Sequence, residues 1–265
     1  MNIIGQDKLV SMIKSKNLDT FPRSVMLVGP EGSGKHTLCT LIGKQLSLPV
    51  ENISDKLNID TIEEIYTRVE PFVFLIDTKK ITVKEQNAIL KFIEEPLKNS
   101  FIVILAENKN RLLETIINRC QIWTLERYSD DILRQFLEGA VNSDLVLDIA
   151  RTPGQVKKYS GVDLIDYINL AQKIVEKIDV ASLPNTLTIV EKLSYKDEKD
   201  KLDCSILFSV LLRECREAVI KNEKPYACIM YELTDSFMND LLIGNIDKKT
   251  LFENYLIRVW TAVRE

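Results

Sequence analysis

The sequence predicts an α/β fold with a parallel sheet, followed by an all-helical region. Short apolar runs alternate with helical patterns over residues 1–125, and after Tyr128 the strand-like runs fade into helical periodicity. A glycine-rich stretch, Gly29–Thr37, sits between one such run and a helical pattern. Strand, loop and helix repeated in that order build a parallel sheet covered by helices.

The strand-like runs are Ser24–Gly29 (SVMLVG), Phe72–Asp77 (FVFLID), Phe101–Ala106 (FIVILA) and Gln121–Leu125 (QIWTL). Each is apolar on successive positions, as expected of strands buried on both faces. Helices are predicted between them at Lys35–Leu46, Thr61–Val69 and Val83–Glu95. Ser129 is a candidate N-cap, and Asp130 and Asp131 suit the first turn after it. Further helices are predicted at Asp130–Leu137, Leu145–Arg151, Val162–Ile178, Leu202–Lys221, Ala227–Leu242 and Lys249–Val263, with Pro153-Gly154 and the Lys196–Lys201 charge cluster as punctuation. Three parts are expected: a nucleotide domain over 1–127, a small helical lid over 128–160 and a helical domain over 161–265.

The 265 residues suffice for about two ordinary domains. A hydrophobic fraction of 45% with 28% charged residues describes a soluble, folded chain. No stretch approaches the ~20 apolar residues of a bilayer span. The N-terminus lacks a basic region followed by an apolar one, so cytoplasm is the expected location and no membrane partner is expected. The five cysteines form no C-x-x-C pair, which supports neither a zinc site nor a disulfide framework. A net charge of −4 argues against a lone DNA-gripping module.

Within Gly29-Pro30-Glu31-Gly32-Ser33-Gly34-Lys35-His36-Thr37, the pattern G-x-x-x-x-G-K is that of a phosphate-binding loop. Glycines turn backbone N–H groups toward phosphates, the helix N-terminus adds positive potential, and the lysine reaches the β/γ-phosphates. The candidate nucleotide-binding residues are Gly29, Gly32, Ser33, Gly34, Lys35, His36, Thr37 and Asp77. His36 replaces the Ser or Thr whose hydroxyl would ligate Mg²⁺, a hard cation that prefers oxygen. Thr37 lies about 100° further round the helix and points elsewhere. Asp77, closing its strand, is the candidate magnesium ligand. Thr78 follows it where a hydrolysing enzyme needs a carboxylate base, and a threonine hydroxyl does not serve. The next carboxylate on the following helix is Glu85.

Several segments together resemble the clamp-loader branch of the AAA+ family, and its bacterial delta-prime type in particular. Ile4-Gly5-Gln6-Asp7 resembles the family's N-terminal box. Gln86–Pro96 (QNAILKFIEEP) is similar to Q-x-A-L-L-K-x-L-E-E-P, and Leu112–Cys120 followed by Gln121 resembles L-L-P-T-I-x-S-R-C-Q. Asn245–Arg258 looks like the ending common in delta-prime subunits. The resemblance implies an AAA+ domain, a helical lid and a C-terminal collar. It also implies that Arg119 is an arginine finger acting on a neighbour's ATP. The plainer alternative is a surface arginine paired with Glu114 or Glu126. Sensor positions depart from the family: Glu107 and Asn108 stand at the first, and Gly154 at the arginine of the second, with Arg151 a nearby substitute. The interval that holds four zinc-binding cysteines in many relatives holds none here, so no zinc is expected, and a trimmed or phage-encoded version is one hypothesis.

The expected function is therefore that of a ring stator. It binds ATP or ADP, with or without Mg²⁺, hydrolyses little or none, and lends Arg119 to an adjacent subunit. Other clamp-loader subunits, the sliding clamp and primer-template DNA are the expected partners, with Lys79, Lys80 and Lys84 as candidate DNA contacts. The alternative is a catalytically active AAA+ clamp loader or helicase loader, which would need Glu85 or a neighbour's residue as its base.

Overall fold

A computed structural model describes residues 3–137, 139, 143–194, 202–221, 224–240 and 248–265. The chain forms two compact units, Met1–Phe136 with Arg151–Gln155, and Leu137–Ala150 with Val156–Glu265. Residues 128–160 contribute to both.

The first unit runs α1 (Asp7–Lys14), β1 (Ser24–Val28), α2 (Lys35–Leu46), β2 (Val50–Asn52), α3 (Ile59–Tyr66), β3 (Val73–Asp77), α4 (Val83–Glu94), β4 (Phe101–Ala106), α5 (Glu114–Ile117), β5 (Gln121–Thr124) and α6 (Asp130–Arg134). Its five strands form one sheet in the order β2-β3-β4-β1-β5, every pairing parallel. Because side chains alternate across a strand, the apolar runs feed two cores. Val25, Leu27, Val73, Leu75, Phe101, Val103 and Leu105 join Ile13 of α1 and Leu38, Ile42 and Leu46 of α2. The intervening Met26, Phe74, Ile76, Ile102 and Ile104 join Ile62 and Ile65 of α3 and Ile89, Phe92 and Ile93 of α4. Chains leave β1 toward β2 on one side and hop over β1 from β4 to β5 on the other. This order puts the end of β1 at the topological switch point, where ligands bind in open parallel sheets.

β2 escapes sequence reading because Val50–Asn52 is short, half polar and on the sheet edge. The helix α1 was likewise not foreseen. Pro153 opens a helix instead of breaking one, a position where proline's missing N–H costs nothing.

The second unit contains α7 (Ser143–Ile149), most of α8 (Pro153–Ser160), α9 (Ile165–Lys177), α10 (Leu183–Leu187), α11 (Cys204–Lys221), α12 (Ala227–Asp240) and α13 (Lys248–Ala262). Two residue pairs, β6 (Leu193–Ser194) and β7 (Leu202–Asp203), form a minimal parallel ladder within it. α11 packs against α9 and α12 and buries Ile206–Leu211 almost continuously. Phe208 meets the rings of Phe237, Phe252 and Tyr255 at centroid distances of 4.3, 5.1 and 5.1 Å. The buried Tyr255 hydroxyl is satisfied by Thr234 at 2.7 Å. Along α13, Tyr255, Leu256 and Val259 are buried and Leu251 half-buried. The Lys196–Lys201 cluster and the start of the C-terminal match, Asn245–Asp247, lie outside the described residues.

None of the five cysteines has a disulfide partner. Burial pushes Cys39, Cys120 and Cys215 up to about 12. Among the described residues no helix is long and apolar enough to cross a membrane. No group of three or more His, Cys, Asp or Glu among them is placed to hold a metal.

Phe208→Ala removes a fully buried ring with three aromatic neighbours, and is expected to cost ~3–5 kcal/mol, read as a lower denaturant midpoint. Retention of the wild-type midpoint would contradict this packing.

A candidate nucleotide site at the end of the first strand

β1 passes directly into the loop, and the Gly29 N–H still donates to the Ala106 carbonyl at 3.0 Å, as if the ladder continued one step. Gly32 and Gly34 have φ of 75° and 92°, a left-handed conformation that disfavours any side chain. Gly34 is the N-cap of α2, so the helix N-terminus opens on the loop. Ser33 is buried; its hydroxyl donates to the Pro30 carbonyl at 2.7 Å, and its own carbonyl accepts from the Tyr128 hydroxyl at 2.7 Å. The Lys35 ammonium donates to the Gly29 and Pro30 carbonyls at 2.6 and 2.8 Å. Burial lowers its pKa, opposed by Glu107, Asp77 and Glu31. Thr37 is half-buried, one position round the helix.

The carboxylate of Asp77 lies across the loop. Its Oδ2 hydrogen-bonds His36 Nε2 at 3.1 Å, and its Oδ1 accepts from the Lys79 N–H at 3.0 Å. An imidazole and one carboxylate make a poor donor set for Mg²⁺, which wants several oxygens in octahedral array. The residues present do not fit a tightly held magnesium ion.

Thr78, which follows Asp77, and Glu85, the next carboxylate along the chain, are both committed to local structure. The Thr78 hydroxyl donates to the Leu105 carbonyl at 2.9 Å. Glu85 closes a capping box at the start of α4, its Oε2 accepting from the Thr82 N–H at 2.6 Å and the Thr82 hydroxyl at 2.8 Å. Those bonds hold its carboxyl below the usual range.

Sequence reasoning missed three contacts of this region. The Lys79 ammonium reaches Glu31 at 2.6 Å and Glu107 at 4.0 Å. Burial lowers the Lys79 pKa, but the hydrogen bond and charge of Glu31, with Glu107 and Asp77, outweigh it and raise the value. Glu107, only 9% exposed at its side chain, is pushed up by burial against the pull of Lys79 and Lys35. A second contact is a clasp: the Thr152 hydroxyl donates to the Glu31 carbonyl at 2.8 Å, and the Gly154 N–H to the Gly32 carbonyl at 3.0 Å. A Cβ on Gly154 would stand 2.5 Å from the Gly32 Cα, so a side chain does not fit there. Third, the buried Gln6 amide exchanges two hydrogen bonds of 2.9 Å with the Glu126 backbone, tying the N-terminal box to the exit of β5. The hint available in the sequence was the polar residue type at these positions, without the long-range pairing.

Arg119 stands apart from this cluster, just after α5. Its Nη2 pairs with Glu94 Oε1 at 2.8 Å and its Nη1 donates to the Thr115 carbonyl at 3.0 Å, with the side chain 42% exposed. The partner is neither Glu114 nor Glu126; Glu126 pairs instead with Lys8. Arg151 is exposed, its N–H bonded to Gln155. Lys84 is exposed, Lys79 is engaged by Glu31, and the Lys80 side chain lies outside the described residues.

Comparison with known proteins agrees with the resemblance read from the motifs. Residues 38–129 match the family described as "DNA polymerase III, delta subunit". The DNA polymerase III subunit delta' of Haemophilus influenzae is 26% identical over 123 residues, 45% of this chain and 37% of the relative. That of Bacillus subtilis is 32% identical over 71 residues, 25% of this chain and 22% of the relative. The chain thus spans well under half the length of these curated relatives. A RuvB variant from Thermotoga maritima is 15% identical with a TM-score of 0.50, covering 83% of this chain and 76% of that one, a likeness of fold alone. The clamp-loader AAA+ resemblance, delta-prime-like at low identity, and the α/β-plus-helical fold class therefore both hold.

Gly154→Ala is expected to destabilise the first unit by ~1–3 kcal/mol, since its Cβ must displace the phosphate loop. Thr152→Val, which leaves the Glu31 carbonyl without its donor, should cost ~1–2 kcal/mol. Thermal unfolding unchanged in both variants would refute the clasp.

Proposed function

We propose that this chain acts as a delta-prime-like subunit of a replicative DNA polymerase clamp loader. In that reading it is a ring stator that lends Arg119 to a neighbouring subunit's ATP and does not hydrolyse nucleotide itself. The observation that carries it is the commitment of Thr78 and Glu85, the two positions after Asp77 at which a base is expected. Thr78 is bonded to the Leu105 carbonyl, and Glu85 is spent on the Thr82 cap. A carboxylate holding two short hydrogen bonds, with its pKa lowered, is a weak proton acceptor. The rival reading, an active AAA+ clamp-loader or helicase-loader ATPase, depends on that same Glu85 or on a residue of a neighbouring subunit.

Arg119 has the opposite character. It is half-exposed and its carboxylate partner, Glu94, is half-exposed too. An exposed ion pair of this kind contributes only ~0–1 kcal/mol, so exchanging Glu94 for a phosphoryl group costs little. A guanidinium is permanently charged and planar, suited to the charge that develops on a transferred phosphoryl group.

Other clamp-loader subunits are the direct partners in this reading, and the sliding clamp and primer-template DNA are reached through the assembled complex in the cytoplasm. The residues 1–127, 128–160 and 161–265 serve as nucleotide domain, lid and collar. A DNA contact from the start of α4 would draw on Lys84, because Lys79 is held by Glu31.

The test is reconstitution with the clamp-loader subunits of the same genome. Arg119→Ala should assemble normally by size exclusion yet lower ATP hydrolysis by the complex about 10³-fold or more. Arg119→Lys should not restore it, because an ammonium lacks the planar fork. A fully active Arg119→Ala complex would sink the proposal.

A further inference from the structure

The third-phosphate end of the site already carries its own anion. The parallel register sets Val28 of β1 beside Ala106 of β4, so Glu107 emerges next to the first residues of the phosphate loop. Its carboxylate bears on Lys35, as those of Asp77 and Glu31 do, and its side chain is nearly buried. Lys79 lies between it and Glu31, at 4.0 and 2.6 Å. Around the loop the cations Lys35, Lys79 and Arg111 face three carboxylates, Glu31, Asp77 and Glu107, so the cations are already matched before any phosphate arrives.

Phosphate loops divide their work along the ligand. Backbone N–H groups and the helix N-terminus hold the first two phosphates, while the lysine and a magnesium ion neutralise the third. Here the first part of that machinery is in place, with Gly32, Gly34 and the start of the twelve-residue α2. The second part is altered. His36 is bonded to Asp77 where a magnesium ion would be ligated, and Lys79 is already neutralised by Glu31. A third phosphate would meet the nearly buried Glu107 carboxylate, with Lys79 already held by Glu31 and Lys35 shared with Glu107.

We propose that Glu107, braced by Lys79, makes this pocket selective for a nucleoside diphosphate bound without magnesium, excluding the triphosphate. This inference rests on the reading of the loop as a nucleotide site, and it names the ligand class that site takes. Its consequence is a subunit with a fixed nucleotide state throughout a neighbour's ATP cycle.

Calorimetric titration of the full chain with ADP and with ATP, each in EDTA and in excess Mg²⁺, tests it. ADP should bind at least about tenfold tighter than ATP in EDTA, and Mg²⁺ should shift ADP affinity by less than about threefold. Glu107→Gln should bring the two affinities together by strengthening ATP, and Lys35→Ala should lose both. Glu107→Asn serves as the second variant should Glu107→Gln fold poorly. Equal or tighter ATP binding by the wild type, an unchanged ratio in the Glu107 variants, or no binding of either nucleotide would overturn it. None of these outcomes touches Arg119, whose role is read separately in the assembled complex; conversely, an inert Arg119 would leave the diphosphate preference standing.

Discussion

Gly32 and Gly154 meet backbone to backbone, one hydrogen bond joining them and the Thr152 hydroxyl anchoring the adjacent Glu31 carbonyl. That approach is possible only because neither residue has a Cβ, and it explains more than the loop's shape. The position at which the family's resemblance calls for a phosphate-sensing arginine is filled by a glycine that packs on the loop. Restoring an arginine there would require the clasp to open, since a Cβ alone comes within 2.5 Å of Gly32. A side chain at position 154 and the clasp exclude one another.

The same economy runs through the neighbouring residues. His36 has become the partner of Asp77, Thr78 holds the end of β4 through the Leu105 carbonyl, and Glu85 starts α4. Each is a group that a hydrolysing site would reserve for metal or water, and each is used here for local structure. A fold can afford such reuse when its sheet is independently secure. The period-2 alternation that sends Val25 and Leu27 to one core and Met26 to the other supplies that security.

Much of this was legible in the sequence. Four apolar runs identified four of the five strands in the main sheet, because burial on both faces demands continuous apolar residues. Gly29–Lys35 announced the phosphate loop, and Asp77 and Thr78 fell where the second strand ends. What was hidden depends on pairs distant along the chain. Thr152 with Glu31, Lys79 with Glu31 and Glu107, and Gln6 with Glu126 leave no periodic trace. Pro153-Gly154 read as a break because the dipeptide favours turns, whereas proline at the first helical position starts α8. Arg119 was legible as a residue but its partner was not: Glu94 lies 25 positions away on α4, while the surface-pair alternative named the nearer Glu114 and Glu126.

The central claim is that Thr78 and Glu85, the positions after Asp77 where a base is expected, are both held in local structure and do not activate water. Steady-state ATP hydrolysis by the isolated chain, compared with its Lys35→Ala variant, tests that most directly. The account predicts turnover at background level and indistinguishable between the two; vigorous hydrolysis that vanishes in the variant would contradict it.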